Sequence, residues 1–212
     1  PKMASHPIEP LTFLFFIRVA STLAAGSVTA LSFARNFQSV PVSLIGVAIA
    51  LAAFPILSAA WAAGDLSAFR RQVRTSALTI TVGTVVAAIG LAVVGPLAIE
   101  VLLGGGEFGA DDVSRTAAIL AVLAVSVPFE ALGHLFARAV YATHNTVLPV
   151  VASLVGFAVT VATTSLLVAD AGVVAIPLGF TAGAATRCVL QGIALAWRMR
   201  RGTAVRADGA SA

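Results

Sequence analysis

Charge is scarce in this sequence. Only 10% of its 212 residues are Asp, Glu, Lys or Arg, 59% are hydrophobic, and the mean hydropathy is +1.01; an ordinary soluble domain carries about 25% charged residues. So little polar surface cannot coat a water-soluble globule. That excludes a soluble enzyme, a disordered chain and a nucleic-acid-binding domain. The 13 basic residues raise the pI to 10.6, but they are scattered through apolar runs and form no basic stripe. Cysteine is almost absent: Cys188 alone cannot form an internal disulfide, no Cys/His ligand set accompanies it, and its apolar run makes it a packing residue. No stretch alternates polar and apolar residues as a barrel strand must. Metal motifs, nucleophile elbows and phosphate loops are missing too, and Gly104-Gly105-Gly106 lacks the Lys-Ser/Thr end of a Walker loop. The expectation is therefore no enzyme, no cofactor, no metal and no nucleic-acid partner. The chain opens Pro1-Lys2-Met3 without a signal-peptide pattern and reads as a fragment whose upstream part is missing.

What is present is a series of long apolar runs. A spanning helix needs about 20 residues, so this length holds about six or seven spans with short loops. The first run is Leu11 to Ala25, closed by the turn Ala25-Gly26-Ser27, where Ser27 can cap the next helix. Val28 to Trp61 reads as one helix kinked at Pro41, and Ala62 to Arg74 as a loop or interfacial stretch. Helices are expected over about Thr75 to Leu103, Val113 to Ala142 (with a kink at Pro128), Leu148 to Ala169, and from Gly172 to about Arg198. Between them lie a flexible acidic loop, Gly104 to Asp112, and short turns at Thr143 to Val147 and Asp170 to Gly172. The prediction is an all-α polytopic membrane bundle of about six transmembrane helices over residues 1–198. A polar tail, 199–212, is expected to be disordered.

Six spans sort the charges. One side receives Lys2, Arg70, Arg71, Arg74, Arg138, Arg198, Arg200, Arg201 and Arg206; the other receives only Arg35 and Arg115, with Glu107, Asp111, Asp112 and Asp170. By the positive-inside rule both termini are expected in the cytoplasm.

Polar residues inside spans are costly and mark cavities or locks. On the second helix Thr29, Ser32, Asn36, Ser39, Ser43, Gly46 and Ala50 recur at steps of three or four, with Arg35 flanking them. The line is either a wet cavity wall with a cation for an anionic substrate, or a seam of small residues with Arg35 snorkelling. On the fourth helix Ser126, Glu130, His134 and Arg138 recur every four residues. Glu130 lies about 18 Å from Ala142, near mid-membrane. This stripe is a cavity or ion path, or an internal Glu130–His134–Arg138 lock. Gly179, Gly183, Arg187 and Gln191 repeat the spacing on the sixth helix, where function and packing are equally open.

Three local patterns carry a family resemblance. The first is Gly26-Ser27-Val28-Thr29-Ala30-Leu31-Ser32-Phe33-Ala34-Arg35 followed by Gln38, Pro41 and Leu44-Ile45-Gly46-Val47-Ala48, running on to Phe54-Pro55-Ile56-Leu57-Ser58. The second is Gly106-Glu107-Phe108 with Asp112. The third is Ala137-Arg138-Ala139-Val140-Tyr141-Ala142-Thr143-His144-Asn145-Thr146 followed by Pro149-Val150. Together they resemble the MurJ (MviN) lipid II flippases, within the multidrug, oligosaccharidyl-lipid and polysaccharide exporter superfamily. The resemblance covers about Leu11 to Arg198.

It implies the second lobe, about helices seven to twelve, of a two-lobe alternating-access transporter in the bacterial cytoplasmic membrane. The N-terminal lobe would then be missing. The implied activity is outward movement of an undecaprenyl-pyrophosphate-linked peptidoglycan precursor, with cavity arginines holding the pyrophosphate. The implied partners are that lipid-linked anionic substrate and membrane lipids. The candidate substrate-binding residues are Arg35, Asn36, Ser39, Glu130, His134, Arg138 and Arg187. The family's cavity arginine aligns with Asn36, and here the charge stands one residue earlier, about 100° around the helix. The alternatives are an exporter of another lipid-linked polysaccharide or of drugs, and a membrane scaffold that does not transport.

Overall fold

The computed structural model describes residues 8–105 and 108–209, with side chains described for 10–105 and 108–200. Lys2 and the Gly106-Glu107 part of the acidic loop lie outside the described residues. The chain folds as α1 (Ile8–Ser21), α2 (Ser27–Pro41), a π-helical turn (Val42–Val47), α3 (Ala48–Ala63), α4 (Leu66–Leu103), α5 (Ala110–Ala142), α6 (Val147–Ala171), a 3-10 turn (Gly172–Val174) and α7 (Ala175–Gly209). No strand occurs among the described residues. The unit α2–π–α3 is one continuous rod, so six rods make the bundle, as the apolar runs predict.

Among the described residues, four stretches are long and apolar enough to cross a membrane: Ser27–Ala63, Leu66–Leu103, Ala110–Ala142 and Val147–Arg200. The last contains both α6 and α7, parted where Gly172 takes a positive φ of 54°. The apolar part of α1, Pro10–Ser21, is shorter.

Pro41 removes a backbone donor, and the turn after it widens to π. The extra residue per turn rotates the following face. Thr29, Asn36 and Ser43 are exposed, whereas Gly46 and Ala50 at the same nominal spacing are buried. Gly46 is needed there, since a Cβ would lie 2.6 Å from the Cβ and 2.8 Å from the Cα of Ala131 on α5. Such close backbone approach is how helices associate in lipid, where no hydrophobic force drives them together. Helices α6 and α7 meet in the same way, with Gly179 and Gly183 against Thr164 and Thr160.

Several boundaries differ from the sequence expectation. Ser27 does not cap α2; Gly26 holds that position with φ 84°, and the Ser27 hydroxyl finds no partner among the described residues. Instead Arg115 closes the turn, donating to the Ala25 carbonyl at 2.7 Å. The expected 62–74 loop shrinks to Gly64-Asp65. Gly64 ends α3 with φ 72°, and the Asp65 carboxylate accepts the Ala68 N–H at 2.8 Å to start α4. Phe69 and Val73 then bury a helical face that three arginines disguise in the sequence. Asp111 and Asp112 lie in the first turn of α5, not in a loop, where acids favour the helix dipole. Pro128 does not interrupt α5. Helix α7 continues past Arg198 to Gly209, a stretch that contains no proline.

Helix α5 is the centre of the bundle, packed by α2, α3, α4 and α7. Around it the core divides in two. One apolar cluster holds Phe16, Leu31, Ile99, Leu123 and Phe180; the other holds Ala50, Leu57, Phe69, Leu135 and Leu195. Between them runs a layer of polar side chains. The outer face of α4 is an exposed aliphatic ladder, including Leu78, Val82, Val86, Ile89 and Val93. A face of that kind belongs against lipid, so the chain is an integral membrane protein.

Candidate functional site

The polar layer is built from α2 and α5. One turn before Pro41, Arg35 and Gln38 stand three residues apart and so point to the same side of α2. On α5, Ser126 and Glu130 are four apart and face them. Ala34, fully buried beside them, lets α2 lie close to α5.

Arg35 grips Glu130 with both ends of its fork. Nη1 donates to Oε2 and Nη2 to Oε1, each at 3.2 Å. Gln38 is completely buried and joins the pair from both sides. Its Oε1 accepts from Arg35 Nη1 at 2.7 Å, and its Nε2 donates to Glu130 Oε2 at 2.7 Å and to Ser126 Oγ at 3.2 Å. Ser126 in turn donates to the Leu123 carbonyl at 2.6 Å. The guanidinium carbon of Arg35 also sits 4.3 Å from the ring centre of Phe180 on α7, a cation–π contact. Glu130 is 5% exposed and Arg35 23%. One partner is sealed in; the other keeps an edge open.

Arg187 supplies a second cation. It lies against α5 at Gly133, where a Cβ would be 3.6 Å from its Nε and 3.4 Å from Gln191 Oε1. Its charge acts on Glu130, one turn earlier on α5. Arg187 Nε and Gln191 Oε1 are buried without a hydrogen-bond partner among the described residues. Arg187 borders a cavity of about 40 Å³ with Thr12, Ser153, Thr160 and Phe180. A larger cavity of about 380 Å³ is lined by Phe37, Val40, Leu44, Leu91 and other apolar groups on the other side of α2. It has no charged lining and takes no part in the polar layer.

The candidate residues thus separate into groups. Arg35, Glu130 and Arg187 come together. Asn36 is exposed on α2, and Ser39 is half-buried, donating to the Asn36 carbonyl at 2.8 Å. His134 and Arg138 are half-buried further along α5, and Arg138 Nη1 donates to the His134 carbonyl at 3.3 Å. Glu130 pairs across helices with Arg35, which makes a lock between α2 and α5. Arg35 points inward instead of snorkelling. Gln38 and Phe180 were not singled out as site residues from sequence. The three-residue step from Arg35 was a signal for Gln38; nothing local marks Phe180.

At the end of the bundle where α4 begins, Arg198 donates to the Thr143 carbonyl at 2.6 Å and to its hydroxyl at 3.1 Å, tying α7 to the α5–α6 turn. The Asp65 carboxyl there is held below its ordinary 3.8 by the Ala68 N–H and then by the Ser67 hydroxyl.

A family model described as Lipid II flippase MurJ matches residues 3–208. The chain is 32% identical over 171 residues to a probable lipid II flippase MurJ of Bdellovibrio bacteriovorus, covering 81% of this chain and 33% of the relative. It is 29% identical over 189 residues to the corresponding protein of Thermotoga maritima, covering 89% and 35%. The chain therefore spans about a third of the length of the curated relatives it matches. Among solved structures it is similar in fold to lipid II flippase MurJ in an inward closed conformation. The TM-score is 0.76 at 17% identity, over 87% of this chain and 39% of that one.

Proposed function

The chain belongs to the MurJ lipid II flippase family, and on that premise we propose that it forms the second lobe of a transporter. That transporter moves a pyrophosphate-linked lipid across a bacterial cytoplasmic membrane. The work is transport by alternating access, without covalent chemistry. The observation that carries the reading is Arg35: a cation at the centre of the bundle, partly open, in an otherwise apolar chain. A buried carboxylate already holds its fork. An incoming pyrophosphate also offers oxygens in pairs that the same fork can hold, and competes with Glu130 for the two guanidinium nitrogens. Asn36 and Ser39 lie beside that exchange, Arg187 adds positive field behind it, and His134 and Arg138 continue the polar path along α5.

The nine-to-two distribution of basic residues supports both termini facing the cytoplasm. Anionic cargo fits better than cationic drugs, because Arg35, Arg138 and Arg187 outnumber Glu130. A structural reading of Arg35 is favoured by one fact: both of its terminal nitrogens already have partners.

The test is translocation in vesicles. A two-lobe family member carrying this chain as its second lobe is reconstituted with fluorescent lipid II in one leaflet. The proposal expects transfer to the other leaflet, lost on Arg35→Ala while folded protein persists. Transfer that Arg35→Ala leaves intact rejects the role of this site.

A further inference from the structure

Arg70, Arg71 and Arg74 are all exposed near the start of α4. At about 100° per residue they occupy a sector roughly 100° wide. That sector lies opposite Phe69, Val73 and Ile80, which are buried against the bundle. It continues along the helix as the exposed ladder Leu78, Val82, Val85 and Ile89. The three guanidinium groups therefore stand at the head of the lipid-facing side, turned away from Arg35 and Glu130.

The length of α4 sets their depth. Its 38 residues extend about 57 Å at 1.5 Å each, against a hydrocarbon layer of about 30 Å. The exposed aliphatic residues run from Leu78 to Leu102, about 36 Å at 1.5 Å per residue, which a tilted helix fits into that layer, so the remaining length falls at the amino-terminal end. Arg74 then stands about 6 Å and Arg70 about 12 Å beyond Leu78 along the helix, and their long side chains reach the headgroup layer. None of the three makes a hydrogen bond or ion pair among the described residues. The nearby acid, Asp65, acts on Arg71 only through space, because its Oδ1 is engaged by Ser67 Oγ and the Ala68 N–H.

We propose that this face of α4 binds an anionic phospholipid of the phosphatidylglycerol type. Its phosphodiester lies between the three guanidinium groups, and one acyl chain lies along Leu78, Val82 and Val85. Guanidinium groups pair phosphate oxygens two at a time, and an anionic surface adds attraction for each basic residue. A zwitterionic lipid offers the same chain without net charge, and free phosphate offers the charge without a chain. Only an anionic phospholipid matches both parts of the face.

The experiment measures lipid binding to the 212-residue chain by native mass spectrometry in a neutral detergent. The probes are phosphatidylglycerol, phosphatidylcholine with identical acyl chains, and inorganic phosphate. Phosphatidylglycerol is expected to bind in preference to phosphatidylcholine, and inorganic phosphate at millimolar concentration is expected not to displace it. Each Arg→Gln change is expected to weaken phosphatidylglycerol binding about fivefold, and the triple Arg70→Gln/Arg71→Gln/Arg74→Gln variant on the order of a hundredfold. Phosphatidylcholine binding should stay the same, and the triple Lys variant should keep most of the preference. If the triple Gln variant does not fold, the single Gln variants read the same loss stepwise. Wild-type affinity in the Gln variants overturns the proposal. So does equal binding of phosphatidylcholine, or displacement by inorganic phosphate alone.

Discussion

Replacing Arg35 with Leu leaves the Glu130 carboxylate in the middle of the bundle without its paired cation, with only the through-space charge of Arg187 nearby. Removing one member of a buried ion pair costs about 3–5 kcal/mol, because the remaining charge is uncompensated. Two features of the structure place this case near the lower bound. Gln38 still donates to Oε2 at 2.7 Å, and Arg35 is 23% exposed, so part of the pair's strength is already screened. A loss of about 3 kcal/mol, at about 2–4 °C per kcal/mol for a chain of this size, lowers Tm by about 6–12 °C. The double variant Arg35→Leu/Glu130→Met removes both charges. Apolar replacement of a buried pair is often neutral or stabilising by about 1–4 kcal/mol. Here it also leaves Gln38 short of partners, which costs about 1–3 kcal/mol. The two contributions nearly cancel, so the double variant should melt close to wild type and well above Arg35→Leu. The assay is thermal unfolding in detergent followed by loss of the monodisperse species, analysed as a double-mutant cycle. If Arg35→Leu melts within a degree or two of wild type, the pair carries no stability and the reasoning fails. A stable double variant that has lost binding of a pyrophosphate lipid assigns the pair to function; one that still binds assigns it to structure.

Other consequences follow from single contacts. Gly46→Val should lower Tm, since its Cβ meets the backbone of Ala131, and overpacking costs about 1–3 kcal/mol; an unchanged Tm contradicts the close approach of the π turn to α5. The Asp65 carboxyl is lowered from 3.8, so its capping contribution is present above that value and is lost as pH falls through the folded value. Asp65→Ala should therefore melt below wild type at pH 7, and the gap should close in strong acid; a gap independent of pH refutes the cap. In a Cys188→Ala background, an impermeant thiol reagent applied outside cells should label a Cys at Ala110 and spare one at Ser67. The opposite pattern reverses the proposed orientation.

The rods were readable in the sequence because apolar runs of spanning length are interrupted by Gly, Asp and Asn at real turns. The exceptions have local causes. Arg70, Arg71 and Arg74 made the start of α4 look like a loop, although Phe69 and Val73 already mark a buried helical face. The polar line on α2 was visible, but the π turn after Pro41, which sends Ser43 outward and Gly46 inward, has no sequence periodicity to announce it. The site was half legible. Glu130 stood out as an acid in an apolar helix. Its partner is 95 positions away, and only packing of α2 on α5 brings the two together. The same packing explains why Arg35, not Asn36, meets the carboxylate: one residue turns the side chain from the exposed face to the buried one.

The central claim is that Glu130 occupies the place on Arg35 that a pyrophosphate takes during transport. Binding of undecaprenyl pyrophosphate to the chain in nanodiscs, compared between wild type and Glu130→Gln, tests it most directly. Removing a charged competitor should tighten binding at least about tenfold, equivalent to about 1.4 kcal/mol. Arg35→Gln should abolish that gain. Binding that Glu130→Gln leaves unchanged or weaker would contradict the account.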